Sequence, residues 1–135
     1  MKNIVVLLFA IILTSCASTP SWKGMSESEI AAWKEMGVSV EQVGAYVKAG
    51  LSQPQVQDWI SNEFKDQKSI IEWASANFKP EQAAQWRDVN FNLNDAIAWA
   101  AKKFSAQEAS EWRKSGFDLD DAQDNRDKGL QPVKG

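Results

Sequence analysis

A chain of 135 residues has room for one domain or one short array of repeats, and a content of 44% apolar and 24% charged residues suits a soluble globular protein. The formal charge of -3 excludes the basic stripe that nucleic-acid phosphates require, so nucleic acid is not expected as a partner. Histidine is absent and Cys16 is the only cysteine, which removes the imidazole general base, the Ser-His-Asp and Cys-His nucleophile systems, the usual zinc ligand sets and any disulfide within the chain.

The chain opens on a short positive segment, Met1-Lys2-Asn3, followed by an unbroken apolar run from Ile4 to Leu13. As a helix those ten residues span only about 15 Å, half the roughly 30 Å of a membrane's hydrocarbon core. The run therefore reads as the apolar core of an export signal over 1–15 and not as a transmembrane anchor. It ends in Leu13-Thr14-Ser15-Cys16. An aliphatic residue, two small residues and a cysteine closely resemble the lipobox of bacterial lipoproteins. That resemblance implies cleavage between Ser15 and Cys16, a thioether-linked diacylglycerol on Cys16, and usually a further acyl chain on the new amino group. One acyl chain binds a membrane marginally, at about 0.8 kcal/mol per buried methylene, whereas two or three hold for good. The family's sorting pattern places an aspartate after the cysteine in inner-membrane members. Here Ala17 follows, which implies the outer membrane of a Gram-negative cell, facing the periplasm.

Residues 16–25 form the lipidated cysteine and a tether rich in Ser, Thr, Pro and Gly, which holds the remainder within about 30 Å of the membrane. Trp22 lies in this tether and is a candidate interaction residue. It can either cover the open start of the domain or sit in the membrane interface, where amphipathic tryptophans concentrate.

From Ser26 onward the sequence repeats. Trp33, Trp59, Trp73, Trp86, Trp99 and Trp112 recur at multiples of 13, within one residue, and Tyr46 fills the single gap. The period divides the chain into eight units, 26–38, 39–51, 52–64, 66–78, 79–91, 92–104, 105–117 and 118–130, broken only by the inserted Lys65. Position one of each unit is a helix N-cap residue (Ser26, Ser39, Ser52, Asp66, Asn92, Ser105, Asp118) except Lys79, which Pro80 follows at the first helical position. Glu29, Gln42, Gln55, Gln82 and Glu108, three residues on, complete capping boxes. Position twelve is Gly37, Gly50, Asn77, Asn90, Gly116 or Gly129, residues that accept the left-handed turn closing a helix; Glu63 and Lys103 depart from this pattern.

Position thirteen is always apolar: Val38, Leu51, Phe64, Phe78, Phe91, Phe104, Phe117 and Leu130. In a Schellman ending it packs back on the residue five places earlier, the tryptophan, and it can also staple onto position five of the next helix. Position five is Ile30, Val43, Val56, Ile70, Ala83, Ala96, Ala109 or Ala122. The expected fold is all-α. Over 26–130 it is an array of eight short helices stacked as helical hairpins, an α-solenoid or compact superhelix, with 131–135 as a tail. Trp33, Tyr46, Trp59, Trp73, Trp86, Trp99 and Trp112, with Phe78, Phe91 and Phe104, are the expected core. The even helices are apolar on two faces, as in 96–101, while the odd ones carry Lys34, Glu35, Arg87, Asp88, Arg113 and Lys114 on their outside. This predicts alternating buried and exposed helices.

In the last unit Asn125 replaces the tryptophan, and Asp118, Asp120, Asp121, Asp124 and Asp127 crowd the surface. A polar cap on the array accounts for them, and the calcium-loop spacing with its central glycine and closing glutamate is lacking. No metal site, cofactor or catalytic residue is expected. Two carboxylates would suffice for a glycosidase, but nearly every acid here falls at a cap, in a first helical turn or on an exposed face. The expectation is a non-enzymatic, membrane-anchored module that binds an envelope protein. The alternative is a peptidoglycan-binding module, and a small envelope enzyme is the third reading.

Overall fold

The computed structural model describes residues 19–132. The leader over 1–15, the cleavage site at Ser15 and the lipidation site at Cys16 lie outside the described residues. Eight helices of nine residues follow in strict order: α1 (Glu27–Glu35), α2 (Val40–Lys48), α3 (Gln53–Ser61), α4 (Gln67–Ser75), α5 (Pro80–Asp88), α6 (Leu93–Ala101), α7 (Ala106–Lys114) and α8 (Leu119–Asp127). Each unit of the repeat is one helix with its two ends. The fold is all-α among the described residues, and no helix there is long and apolar enough to cross a membrane.

The ends of the helices follow from their capping chemistry. In five units the N-cap amide donates to the side chain three residues on: Ser26 to Glu29 at 2.8 Å, Ser39 to Gln42 at 2.9 Å, Ser52 to Gln55 at 2.8 Å, Lys79 to Gln82 at 3.1 Å and Ser105 to Glu108 at 2.8 Å. Asp66, Asn92 and Asp118 instead accept from the amides of Ser69, Asp95 and Asp121. These bonds satisfy amides that a helix start leaves unpaired.

All eight C-termini close in the same way. The position-thirteen amide donates to the carbonyl five residues back, from Val38 onto Trp33 through to Leu130 onto Asn125, at 2.9–3.2 Å. Position twelve has positive φ in every unit, including Glu63 at 65° and Lys103 at 64°. The left-handed turn is thus imposed by the repeat even where the residue resists it, at about 1–2 kcal/mol for a side chain with a Cβ.

Position thirteen does pack on the tryptophan. The pairs Trp59–Phe64, Trp73–Phe78, Trp86–Phe91, Trp99–Phe104 and Trp112–Phe117 meet edge-on with centroids 4.9–5.2 Å apart. This is the geometry that aromatic quadrupoles favour. Phe64 and Phe91 also reach forward to the next tryptophan, Trp73 at 6.4 Å and Trp99 at 5.9 Å. One phenylalanine thereby joins two helices. Sizes along this staple are reciprocal. Where position thirteen is Val38 or Leu51, the following position five is a valine; where it is Phe78, Phe91, Phe104 or Phe117, position five shrinks to alanine. Phe64 is followed by the larger Ile70, and there Lys65 adds one residue between them.

Alternate helices stack. The principal helix pairs are α1 with α3, α2 with α4 and α5 with α7, joined by the sequential pair α6 with α7. The side-chain amide of Gln67 also donates to the Gln42 carbonyl at 2.7 Å, tying α4 to α2. This stacking agrees with an array of hairpins, but the predicted alternation of buried and exposed helices does not hold. Helices α2 to α7 each bury positions five and eight, α1 buries only Trp33 and α8 only Ala122, and α7, an odd helix, buries four residues, Ala106, Ala109, Ser110 and Trp112. The second apolar face is open on α2 and α6, where Val47 is 55% and Ile97 42% exposed, whereas Ile71 and Ala74 on α4 are partly buried against the core. The physical reason is that nine-residue helices meet their neighbours along one narrow stripe, so a second face finds nothing to cover it.

Candidate functional site: a recurring groove with arginine covers

The six repeat tryptophans and Tyr46 are buried, as are Phe91 and Phe104, whereas Phe78 is half-buried at the edge of the core. Trp33 and Tyr46 stack with their planes 8° apart. Burial raises the Tyr46 hydroxyl above its ordinary pKa, and the nearby Asp66 carboxylate adds to the effect. Trp22 is half-buried against the start of this core, its carbonyl accepts from the Met25 amide, and the Lys34 ammonium lies 5.8 Å from its ring. It covers the open start of the array.

What the sequence pattern missed is position nine. That pattern puts Arg87 and Arg113 on the outside, yet their guanidinium groups lie across aromatic rings two units earlier. Arg87 sits 4.8 Å from the ring of Phe64 and donates to the Asn62 carbonyl at 2.8 Å. Arg113 sits 3.7 Å from Phe91 and is held by Asp95 at 2.9 Å. Arg126, in the last unit, sits 3.7 Å from Phe104 and donates to the carbonyls of Lys102 and Lys103. At Arg87 and Arg126 two physical attractions coincide. A ring face carries negative potential, and the closing carbonyls of a helix carry its negative dipole end. The signal was present as an arginine 22 residues after a phenylalanine, or 23 where Lys65 intervenes, but it links different positions of different units and so escapes a search for one period.

The same arrangement leaves a groove between alternate units, seen four times among the described residues. Each is walled by the position-eight tryptophan of the middle unit and by positions nine and thirteen of the later one. The first holds Leu51, Trp59, Ala74 and Phe78 around about 180 Å³, and the second Phe64, Trp73, Arg87 and Phe91 around about 460 Å³. The third holds Phe78, Trp86, Ala100 and Phe104 around about 630 Å³, and the fourth Trp99, Arg113 and Phe117 around about 500 Å³. Only edges of the tryptophans reach these grooves, because the rings are buried.

Carboxylates line three of the four grooves, Asp58 the first, Glu63 and Asp66 the second, and Asp95 and Asp118 the fourth, while the third has none. Glu29, Glu41 and Asp66 are each held below the ordinary carboxylate range: Glu29 chiefly by the Ser26 amide, Glu41 by its own amide, and Asp66 by the Ser69 amide. All three carboxylates are fully exposed and tied to amides at helix starts. A general acid would need the reverse shift. In the last unit Asp118 caps α8 and Asp127 accepts from Gln123 at 2.7 Å. Among the described residues no three His, Cys, Asp or Glu side chains are grouped to hold a metal ion.

No protein-family model matches the chain, and neither a curated protein nor a solved structure shows significant similarity to it.

Proposed function

We propose that this protein is a lipid-anchored, non-enzymatic scaffold of the bacterial envelope, whose helical array binds a protein partner through the row of grooves and holds it near the membrane. The observation that carries the reading is the recurrence itself. One groove with the same wall positions appears four times along a self-stapled array, and stacked helical repeats of this kind serve as extended binding surfaces. The lipobox-like Leu13-Thr14-Ser15-Cys16 supports the anchor, and the outer membrane is its proposed place. The carboxylates give no support to catalysis, since those with perturbed ionisation serve helix starts.

The alternative, a peptidoglycan-binding module, would need exposed aromatic faces on which sugars stack. The repeat tryptophans offer none, since none is more than 8% exposed. The reading is tested in two arms. Growth with a clickable palmitate analogue should label the wild-type chain and leave Cys16→Ala unlabelled; label that survives the substitution contradicts the anchor. Purified sacculi should fail to retain the protein; firm retention lost on changing Gln85, which lines the widest groove, would turn the reading toward glycan.

A further inference from the structure

The chain's own arginines show what the grooves accept; two grooves have an alanine in the arginine's place, Ala74 opposite Leu51 and Ala100 opposite Phe78, and only the second offers a ring. Among the phenylalanines at position thirteen, Phe64, Phe91 and Phe104 each have an arginine two units later, and their exposures are 5%, 4% and 4%. Phe117 closes the seventh of the eight units described, so none of them stands two places after it. Phe78 does have a later unit, but its position nine is Ala100. In keeping with this, Phe78 and Phe117 are only half-buried, and the groove between Phe78 and Ala100 is the largest of the four, at about 630 Å³. The carbonyls that would complete the arrangement are those of Ala76 and Asn77, matching Asn62 beneath Arg87 and Lys102 and Lys103 beneath Arg126. Neither receives a side-chain donor among the described residues.

We propose that the Phe78–Ala100 groove is a binding site for an arginine side chain of the protein partner, which would lie across the Phe78 ring and donate to the carbonyls of Ala76 and Asn77. This site rests on the partner-binding reading and names the chemistry that one groove selects. Guanidinium suits it because the group is planar, weakly hydrated and able to donate to carbonyls while stacking, as Arg126 does to two and Arg87 to one. Lys103 is the only charged side chain lining this groove. Its ammonium opposes a second cation, so it restrains affinity and does not create it.

The test uses the full-length chain in detergent micelles, titrated with N-acetyl-arginine methylamide and followed by the NMR shifts of the Phe78 ring and the Asn77 amide. Saturable shifts are expected at millimolar concentrations, weaker by about threefold or more with the uncharged citrulline analogue, as the worth of a partly exposed cation over a ring implies. Ala100→Arg should abolish the shifts by filling the site from within. Phe78→Leu keeps an apolar contact without a ring face and should weaken them by a similar factor, with dispersed tryptophan indole signals showing that the array is intact. Lys103→Gly, which also suits the left-handed backbone there, should strengthen binding. Shifts absent from the wild type, equal with citrulline, or unchanged in Ala100→Arg would overturn the proposal. The palmitate and sacculus arms above are unaffected by that failure, so it would remove the site without removing the scaffold.

Discussion

Replacing Trp86 with alanine is expected to lower folding stability by about 3–5 kcal/mol, the range for truncating a large buried aromatic. Trp86 is 4% exposed, meets Phe91 edge-on at 5.1 Å, and walls the widest groove from within the array. The loss combines the transfer free energy of the indole with a cavity that neighbouring helices cannot close, because each is already stapled at both ends. A small domain has about 5–15 kcal/mol in all, so the loss would take from about a fifth of that stability to the whole of it. Urea denaturation followed by the remaining tryptophans reads the change. A loss under about 1 kcal/mol would mean that the indole is dispensable to the core, and the sugar-stacking alternative would then return.

The second large effect tests the reciprocal sizes along the staple. Ala96 is fully buried, four places after the start cap of α6, beside the preceding Phe91. Ala96→Ile inserts three carbons where phenylalanine has already filled the space, and overpacking of this kind costs about 1–3 kcal/mol. Coupling Ala96→Ile with Phe91→Leu restores the large-small balance found at Leu51 and Val56. The double variant should therefore be more stable than the sum of the two single losses predicts, with a coupling of about 0.5 kcal/mol or more. Strict additivity would show that the reciprocity has no energetic basis.

Much of this fold is written in local chemistry, and that part was legible. Ser26 and Glu29, or Ser105 and Glu108, announce a helix start because their bonds close within three residues. Gly37 and Gly116 announce an end because the left-handed turn excludes most side chains. The tryptophan-phenylalanine contact was legible too, being fixed by five residues of backbone in a Schellman turn. Legibility stopped where one unit meets another two places away. Arg87 reads as an exposed helix residue beside Asp88, and nothing local says that its guanidinium will lie over Phe64. The even helices erred in the other direction: Val47 and Ile97 look like a second core face, but no further element arrives to bury them. Glu63 and Lys103 also break the glycine-or-asparagine rule, yet both adopt the left-handed turn because the Trp59–Phe64 and Trp99–Phe104 contacts on either side demand it. Of the candidate site, the wall residues were legible as core positions. The groove itself was not, since it exists only between alternate units.

The most direct test of a partner-binding scaffold is photocrosslinking in living cells from two positions. Gln85 lines the Phe78–Ala100 groove, whereas Glu35 is an exposed helix-end residue outside all four described grooves. A photoreactive residue at Gln85 is expected to give one discrete protein adduct, reduced when Ala100→Arg fills the groove, while the same residue at Glu35 gives none. Adducts of equal yield from both positions, or adducts to glycan alone, would contradict the account.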